Sequence, residues 1–386
     1  MKCMCYIINY NAKEYLIQCL DSVICACGET EGVEICVVDN ASNDGSVEAV
    51  RDRYDNKVRV IVNDENTGGA GGFNTALKDA IECKVDYAVL LDNDIKVDRE
   101  SINNMLSLLC DNDDVGAVGA KIMTMDRPDF IQEFGGHLDM DHYYFTTDYW
   151  YELDNGTEGI IESDWLSSCA IAVRIEAVKK THLFPQENFL YWDDIQFTWE
   201  MKQAGYRLVS LAAAKVWHKG KKKVVTNTAS AYYAMRNRTK FFSICEDENK
   251  LDKLCESLLE EYFDIFFGSS LKGLDSTNSS RMMALDDFVN KRYGKIPQRA
   301  LFDIVIKDEE SDVKKEDYVF CEHVTKVKEN ILPKIWVDKY SNKISTEDDY
   351  RKVQAYPHLK EMFVKLHYEW LMNGIVEERK RYKEKV

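Results

Sequence analysis

The amino-acid sequence predicts an α/β protein: a Rossmann-like, mostly parallel β-sheet with helices on both faces, followed by a helical C-terminal region. Two observations predict the sheet. Short β-branched apolar segments recur along the first half of the chain, and amphipathic segments of helical period separate them. A third observation predicts the helical region, because the residues beyond about Ala229 are charged, low in glycine and helical in period. We therefore predict two domains, residues 1–228 and residues 229–386.

The strands and helices of the first domain alternate in a regular order. The predicted strands are "MCYIINY", "VEICVVDN", "VRVIVND" and "DYAVLLDND", and the helices between them are "KEYLIQCLDSVICAC", "SVEAVRDRY" and "GGFNTALKDAIEC". From about Met123 to Ser163 the alternation stops, and antiparallel strands or an irregular excursion are expected. It returns with "DWLSSCAIAVRIEAV" and "RLVSLAAAKVWHKG". Because parallel sheets bind ligands outside the carboxyl ends of their strands, we expect a site where those ends meet.

Composition limits the classes of protein to which this chain can belong. Of its 386 residues, 45% are hydrophobic and 30% are charged, which suits a substantial core and excludes wholesale disorder. A net charge of -17 disfavours a protein that binds nucleic acid by neutralising phosphates. No apolar run approaches the ~20 residues that span a bilayer. The chain begins in a predicted strand without a signal-peptide pattern, so we expect a cytoplasmic protein.

The 12 cysteines are predicted to be reduced, structural thiols. Pairs such as Cys3/Cys5 have the spacing C-x-C, and no C-x-x-C pair meets a second one, so the spacing disfavours a zinc site. Cys36, Cys83 and Cys169 lie in apolar stretches, where a free cysteine behaves as a small buried hydrophobe.

Two polar segments follow predicted strands and suit a nucleotide. "VVDNASNDGS" places Asp39 at a strand end, where its carboxylate can accept hydrogen bonds from uracil or ribose; an Asx turn with a helix cap explains the same residues. "NDENTGGAGGFN" is a glycine-rich loop that enters a helix, which suits the close approach of a pyrophosphate. The loop matches neither the dinucleotide-binding nor the P-loop fingerprint, which disfavours a nicotinamide dehydrogenase.

Two pairs of carboxylates suggest chemistry. "YAVLLDNDI" ends a buried strand in Asp92 and Asp94, hard oxygen ligands that suit Mg²⁺ or Mn²⁺, although a strand-terminating turn also favours D-N-D. "ENFLYWDDIQFTWEMKQAGYRL" sets Asp193 and Asp194 directly after aromatic residues. A helix that is capped by an aspartate and ends at Gly205 explains one of the two aspartates and leaves the other unexplained.

Together these segments resemble the family 2 glycosyltransferases of the GT-A fold, over roughly residues 4–245. "FLYWDDIQFTWEMKQAGYRL", "AAAKVWHKG" and "YYAMRNR" look similar to galactofuranosyltransferases, with rhamnosyltransferases as close relatives. The resemblance implies inverting, metal-dependent transfer of a sugar onto a hydroxyl of a cell-surface polysaccharide or lipid-linked glycan. Galactofuranose from UDP-galactofuranose is the preferred donor, and dTDP-rhamnose is the alternative. A nucleotide-sugar-binding protein without catalysis is the alternative of another class.

The resemblance also implies a role for individual residues. Asp194 would be the general base, and Mn²⁺ or Mg²⁺ would be held by Asp92, Asp94 and His218. The donor would be bound by Asn11, Asp39, Asn66, Gly69, Asp92 and Asn93, and the acceptor by Trp165, Trp192 and Asp193. Gln196 stands where the family usually carries an acidic residue, so the identity of the acceptor is left open.

Basic and aromatic segments late in the chain suggest a partner surface. "KEMFVKLHYEWLMNG" and "EERKRYKEK" suit a partner helix or a peripheral position at the inner face of the cell membrane, and Lys219–Lys223 suit a diphosphate or an anionic headgroup. The alternatives are a helical subdomain packed on the catalytic core or across a homo-oligomer interface, and a solvated lysine loop.

Overall fold

A computed structural model describes residues 1–28, 32–219, 228–271, 275–297 and 347–385 of the chain. The chain divides into two compact units. The first consists of residues 1–139 and 144–223, and the second of residues 140–143 and 224–386. The domain boundary after residue 228 stays a prediction.

The first unit is built on an 11-stranded sheet. Its strands are β1 (Cys3–Asn9), β2 (Val33–Asp39), β3 (Val58–Val62), β4 (Tyr87–Asp92), β5 (Ile95–Val97), β6 (Val115–Thr124), β7 (Phe130–Asp139), β8 (Tyr144–Leu153), β9 (Ile160–Ser163), β10 (Ala170–Arg174) and β11 (Arg207–His218). Its helices are α1 (Lys13–Cys27), α2 (Ser46–Tyr54), α3 (Gly68–Glu82), α4 (Ser101–Asp111), α5 (Ile175–Val178) and α6 (Asp193–Gln203).

The predicted fold class is confirmed, and the sheet is mixed. The order β3-β2-β1-β4-β10-β6-β11-β5 begins with four parallel strands. Strand β10 then runs antiparallel to both of its neighbours, β4 and β6, whereas β6 and β11 are parallel. The predicted antiparallel region is the hairpin of β7 and β8, which joins the sheet through β6.

Hydrophobic residues cover both faces of the central strands. Along β1, Cys5 and Ile7 pack into a core cluster with α1 and α4. Met4 and Tyr6 pack on the opposite face with α3 and α6. Each large apolar side chain fully buried in this way contributes about 1.5–3 kcal/mol to folding. The two-sided core explains why these strands read as continuous apolar runs.

Strand register brings polar residues to one edge of the sheet. Asn9 at the end of β1 pairs with Asp39 at the end of β2, and Ile8 pairs with Asp92 at the end of β4. The carboxyl ends of the first strands therefore meet, as the sequence predicts.

The second unit is helical, as predicted. Its helices are α7 (Thr228–Cys245), α8 (Leu251–Leu271), α9 (Asp275–Val289) and α10 (Glu347–Lys383). The segment "KEMFVKLHYEWLMNG" lies in α10, which packs on α7, α8 and α9, and its Phe363 and Leu371 are buried. Among the described helices, none combines the length and apolar character needed to cross a bilayer.

The cysteines of the described residues are free thiols. Cys36 and Cys169 are buried, as their apolar surroundings suggest. Cys83 is exposed, so its assignment as a buried hydrophobe is wrong. It follows α3 directly, where the helix ends and the chain returns toward β4.

Candidate active site

The ends of β1, β2 and β4 carry a chain of hydrogen bonds. Asn93 Nδ2 donates to Asn9 Oδ1 at 2.7 Å, and Asn9 Nδ2 donates to Asp39 Oδ1 at 2.8 Å. The other oxygen of Asp39 accepts from the Ser42 amide at 2.8 Å. These bonds orient a fully buried carboxylate at the strand end. The sequence identifies Asp39 and Asn93 and misses Asn9, which joins them.

A second buried asparagine, also missed, holds the glycine-rich loop. Asn40 Nδ2 donates to Gly68 O at 2.8 Å and to Asn66 Oδ1 at 3.2 Å, and its Oδ1 accepts from the Thr67 amide. The Asn66 side chain also accepts from the Gly68 amide at 2.9 Å. The predicted donor residue Asn66 therefore shapes the start of α3. Nothing in the sequence separates Asn40 from an ordinary turn residue.

The loop requires glycine where it meets the segment before α6. Gly68 has a φ of 76°, and a Cβ there would lie 2.2 Å from Phe189 O. A Cβ at Gly69 would meet the Leu190 side chain at 3.4 Å. The start of α3, whose first amides are unpaired within the helix and suit an anion, thus lies against residues 189–190. Asn11 is joined to the turn after Asp39: its Oδ1 accepts from the Asn43 amide at 2.8 Å, and its amide donates to Ser42 Oγ at 2.9 Å.

The three predicted metal ligands lie together. His218 Nε2 lies 3.3 Å from Asp94 Oδ1, and ligand atoms of His218 and Asp92 lie within 4.8 Å. Nδ1 of His218 lies 3.0 Å from Gln132 Oε1. Because an amide oxygen only accepts, Nδ1 of the neutral ring carries the proton and Nε2 presents its lone pair toward the carboxylates. Gln132 is a further residue that the sequence does not identify.

The electrostatics of this group favour a cation. Burial, and then the charge of Asp94, raise the pKa of Asp92 to about 7. Burial would also raise the pKa of Asp94, but the hydrogen bond and the charge of protonated His218, with smaller contributions that include the charge of Lys219, together lower that pKa. Burial opposes a charge on His218, and the carboxylates, Asp94 foremost, raise its pKa. Two carboxylates and one imidazole are a donor set that suits Mn²⁺ or Mg²⁺, so the residues fit the implied metal.

The segment before α6 has an unusual backbone. Phe189, Tyr191 and Trp192 have φ values of 68°, 64° and 63°. Conformations with a positive φ cost of order 1–3 kcal/mol for residues other than glycine and concentrate at functional sites. Trp192 is the cap residue of α6, without a side-chain capping bond. The suggestion that an aspartate caps this helix is therefore wrong, and both aspartates lie in its first turn, where the helix dipole favours negative charge.

The two aspartates of α6 lie in different surroundings. Asp193 is buried, with an exposed fraction of 6%, whereas Asp194 is half-buried. Asp194 Oδ1 accepts from the Ile195 amide at 2.9 Å. Burial raises the pKa of Asp194 to about 6, against the hydrogen bonds of Ile195 and Ser168. A carboxylate with a pKa close to neutrality is suited to general-base work.

A fourth carboxylate, missed by the sequence, faces the same group. Glu133 lies on β7, and burial, then the charge of Asp194, raise its pKa to about 8. It lines a small cleft together with Trp165, Ser167 and Gly136. The residue stands in the sequence without a recognisable motif, so only the position of the β7–β8 hairpin identifies it.

The predicted acceptor tryptophans belong to one aromatic cluster. Phe145 contacts Trp165 edge to face, with ring centroids 5.1 Å apart, and contacts Trp192 in the same way at 5.5 Å. Both tryptophans are buried. The exposed aromatic faces in this region belong to Tyr144, which contacts Trp192, and to Tyr191. Neither tyrosine is identified from the sequence.

Two further predicted features are Gln196 and the lysine-rich segment Lys219–Lys223. The first has a structural role, and most of the second lies outside the described residues. Gln196 is buried, and its Nε2 donates to Glu200 Oε1 at 3.1 Å within α6. Of the lysine-rich segment, Lys219 lies above the Tyr15 ring at 3.6 Å, and the remaining lysines lie outside the described residues.

Residues 5–170 match the family model described as Glycosyl transferase family 2. This part of the chain is therefore similar to the family 2 glycosyltransferases, and the resemblance drawn from the sequence is confirmed.

Curated relatives include two glycosyltransferases and a teichoic acid polymerase. The teichoic acid poly(glycerol phosphate) polymerase of Staphylococcus epidermidis is 29% identical over 50% of this chain and 24% of its own length. Galactofuranosyltransferase GlfT2 of Mycolicibacterium smegmatis is 23% identical over 46% of this chain and 30% of its own length. The N-acetylglucosaminyl-diphospho-decaprenol L-rhamnosyltransferase of Mycobacterium tuberculosis is 27% identical over 48% and 66%. The chain thus spans less than a third of the first two relatives.

Solved structures with the same fold include two bound to nucleotides. Residues 1–349 of S. aureus TarS in complex with UDP-GlcNAc superpose with a TM-score of 0.51, at 19% identity, over 78% of this chain and 83% of that one. GalNAc-T7 with UDP, GalNAc and Mn²⁺ superposes with a TM-score of 0.51, at 13% identity, over 66% of this chain and 50% of that one. These likenesses confirm the GT-A fold.

Proposed function

We propose that this chain is an inverting, metal-dependent glycosyltransferase that moves a sugar from a nucleotide diphosphate onto a hydroxyl of a cell-surface polysaccharide or lipid-linked glycan. The observation that carries the proposal is the gathering of Asp92, Asp94, His218 and Asp194 at the edge where Asp39 is oriented. Asp92, Asp94 and His218 would hold the metal, and Asp194 would take the acceptor proton. The family of residues 5–170 supports the same reaction class.

The donor half of the site would bind the nucleotide through its backbone and carboxylates. Asp39, held by Asn9 and Ser42, accepts hydrogen bonds from the base or ribose. The first amides of α3 would face the diphosphate, because amides at a helix N-terminus suit an anion. Asp92, Asp94 and His218 would hold Mn²⁺ or Mg²⁺, which when bound neutralises charge on the departing diphosphate.

The acceptor half would supply the base. Asp194 takes the proton of the acceptor hydroxyl while that oxygen bonds to the anomeric carbon. The bond from the anomeric carbon to the diphosphate oxygen breaks, and its electron pair leaves with the nucleotide. A single displacement inverts the anomeric centre and needs no covalent enzyme intermediate. Asp193 would orient the acceptor, and the cluster of Trp165, Trp192 and Phe145 would form its apolar wall.

We infer a UDP-linked donor, with UDP-galactofuranose preferred and dTDP-rhamnose as the alternative. The sequence similarity to a galactofuranosyltransferase and to a rhamnosyltransferase supports both sugars, and the fold likeness to a UDP-GlcNAc complex supports UDP. A peripheral membrane position belongs to the same proposal, because a lipid-linked acceptor would lie at a membrane surface. A homo-oligomer is a separate part of the proposal.

A nucleotide-sugar screen tests the proposal. The purified full chain is incubated with UDP-galactofuranose, dTDP-rhamnose or UDP-GlcNAc, with Mn²⁺ or with excess EDTA, and released nucleoside diphosphate is measured. We expect cation-dependent release from one donor, and loss of that release in Asp94→Asn. Cation-dependent binding of a donor without release, in the presence of a range of glycan acceptors, would instead support the non-catalytic binding protein. Full release after EDTA treatment would refute the metal dependence.

A further inference from the structure

A thiol lies beside the carboxylate and the imidazole of the proposed metal site. Ligand atoms of Asp92, Cys169 and His218 all lie within 4.8 Å of one another. We infer that these three side chains form a sulfur-containing metal site for a thiophilic divalent cation, zinc above all, which overlaps the site proposed for Mn²⁺ or Mg²⁺. The inference concerns the chain's own ligand atoms, so it holds whether or not the chain transfers a sugar.

The position of the thiol follows from the mixed sheet. Cys169 directly precedes β10, which runs antiparallel to β4, and its carbonyl accepts from the Asp92 amide at 3.0 Å. His218 ends β11. Three strand ends thus bring a sulfur, an oxygen and a nitrogen to one point, and Cys169 is buried there, with an exposed fraction of 6%.

The geometry suits a small tetrahedral cation after a modest adjustment. Zinc binds sulfur at about 2.3 Å and nitrogen or oxygen at about 2.0–2.2 Å, so its ligand atoms lie roughly 3.3–3.7 Å apart. The observed spacing, up to 4.8 Å, closes with side-chain movements of roughly 1 Å. Nε2 of His218 already points at the group because Nδ1 is bonded to Gln132. Asp94, 3.3 Å from that nitrogen, is placed to supply a fourth ligand.

Sulfur changes the preference of the site among metals. Thiolates favour zinc and other soft or borderline cations, whereas Mg²⁺ prefers oxygen. The Cys169 thiol gives its proton to solvent when the metal–sulfur bond forms, and no oxidant or reductant is needed. Because Asp92 and His218 are shared, zinc and the donor cation exclude one another. Zinc would therefore inhibit any activity that depends on Mg²⁺ or Mn²⁺ at this site.

Cobalt absorption tests for the sulfur ligand. Co²⁺ is titrated into the metal-free full-length protein, and the thiolate-to-cobalt charge-transfer band is recorded in the near ultraviolet. We expect a band that zinc abolishes by displacement and that Cys169→Ser lacks. Zinc affinity, measured by competition with a chromophoric chelator, should fall about tenfold or more in Cys169→Ser, whereas Mg²⁺ affinity should change less than about twofold.

Two matched variants separate this thiol from the others. Cys36→Ser removes a buried thiol of β2 whose charged neighbours are Arg59 and Asp79, and it should keep the band. Cys19→Ser removes a thiol 3.6 Å from the Asp92 carbonyl oxygen, and it should also keep the band. Cys169→Ala replaces Cys169→Ser if circular dichroism shows that the serine variant is unfolded. The inference is overturned if the wild type gives no band, if the band survives without Cys169, or if only Cys19→Ser removes it.

Discussion

Two groups of charged side chains in the first unit shift the pKa values of their carboxylates in opposite directions. In the lysine cluster, Lys121, Asp154 and Lys215, the carboxylate of Asp154 lies 2.8 Å and 3.3 Å from the two ammonium groups. Burial would raise the pKa of Asp154, but the hydrogen bond of Lys121 and its partners lower it to about 2. In the strand-end cluster, Asp92, Asp94 and Glu133 lie around His218, and Asp194 faces Asp92 and Glu133. The pKa values of Asp92 and Glu133 rise to about 7 and 8.

The difference separates a structural group from a site. The lysine cluster supplies its own counter-charges, so its ionised form is complete without a ligand. The described members of the strand-end cluster are four carboxylates and one imidazole. Their negative charge exceeds their positive charge, so a cation from solution is needed to balance it. Clustered carboxylates with raised pKa values are typical of functional sites. The predictions below test this contrast.

Removal of the proposed base should have the largest effect. Asp194→Asn keeps the shape and removes the proton acceptor, so turnover should fall by about 10²–10⁴-fold while donor affinity stays nearly unchanged. Steady-state kinetics and donor titration measure the two quantities. Asp193→Asn is the matched neighbour and should mainly weaken acceptor binding. Normal turnover in Asp194→Asn with none in Asp193→Asn would reverse the two roles.

Removal of a charge from the lysine cluster should unfold the protein more easily. Lys121→Met leaves a buried carboxylate with one ammonium partner, Lys215, which should cost about 3–5 kcal/mol of unfolding free energy. Urea unfolding followed by tryptophan fluorescence measures it. Arg53→Met, which removes an exposed partner of Asp21, is the control and should cost at most about 1 kcal/mol. Equal costs in the two variants would show that the lysine cluster is not a buried structural pair.

Loss of the residue that orients His218 should weaken the binding of the cation. Gln132→Leu removes the acceptor that fixes the proton on Nδ1, and outer-shell losses of this kind cost about 10–100-fold in metal affinity. Calorimetric titration of Mn²⁺ measures the change. Gln203→Leu, at the exposed end of α6, should leave the affinity unaltered. An unchanged affinity in Gln132→Leu would mean that this contact does not orient the ligand.

The last prediction is a gain of stability with a definite pH dependence. The pKa of Glu133 is raised to about 8 from 4.5, so wild-type stability is lost as pH rises through this window, since the unfolded state releases the proton first. Glu133→Gln has no such loss. In metal-free protein, the stability that Glu133→Gln gains over the wild type should therefore grow between pH 5 and pH 8, and thermal unfolding at the two pH values measures it. A difference independent of pH would contradict the raised pKa.

Local sequence predicts the strand ends better than it predicts the neighbours of those ends. Asp39 and Asp92 follow apolar runs whose period marks strands, so their position at one edge follows from parallel pairing. Glu133 comes from a hairpin inserted between strands, and no local pattern says where a hairpin will lie. Cys169 reads as a small hydrophobe, and its approach to Asp92 depends on the antiparallel direction of β10. Apolar patterning does not encode that direction.

The segment before α6 shows the same limit. Its sequence predicts a helix that begins at the aspartates and ends near Gly205, and the structure has that helix. The positive φ values of Phe189, Tyr191 and Trp192 are not predictable, because residues other than glycine adopt such a backbone only when surrounding structure imposes it. Here Gly68 lies against the Phe189 carbonyl, a contact between segments far apart in the chain.

The central claim is that the strand-end cluster binds a nucleotide diphosphate through a divalent cation taken up from solution. Calorimetric titration of UDP into the purified protein, first with excess EDTA and then with saturating Mn²⁺, tests it directly, with Asp94→Asn alongside. The account predicts that Mn²⁺ strengthens UDP binding at least about tenfold in the wild type, and that Asp94→Asn loses most of this gain. Equal UDP affinity with and without the cation in the wild type would contradict it.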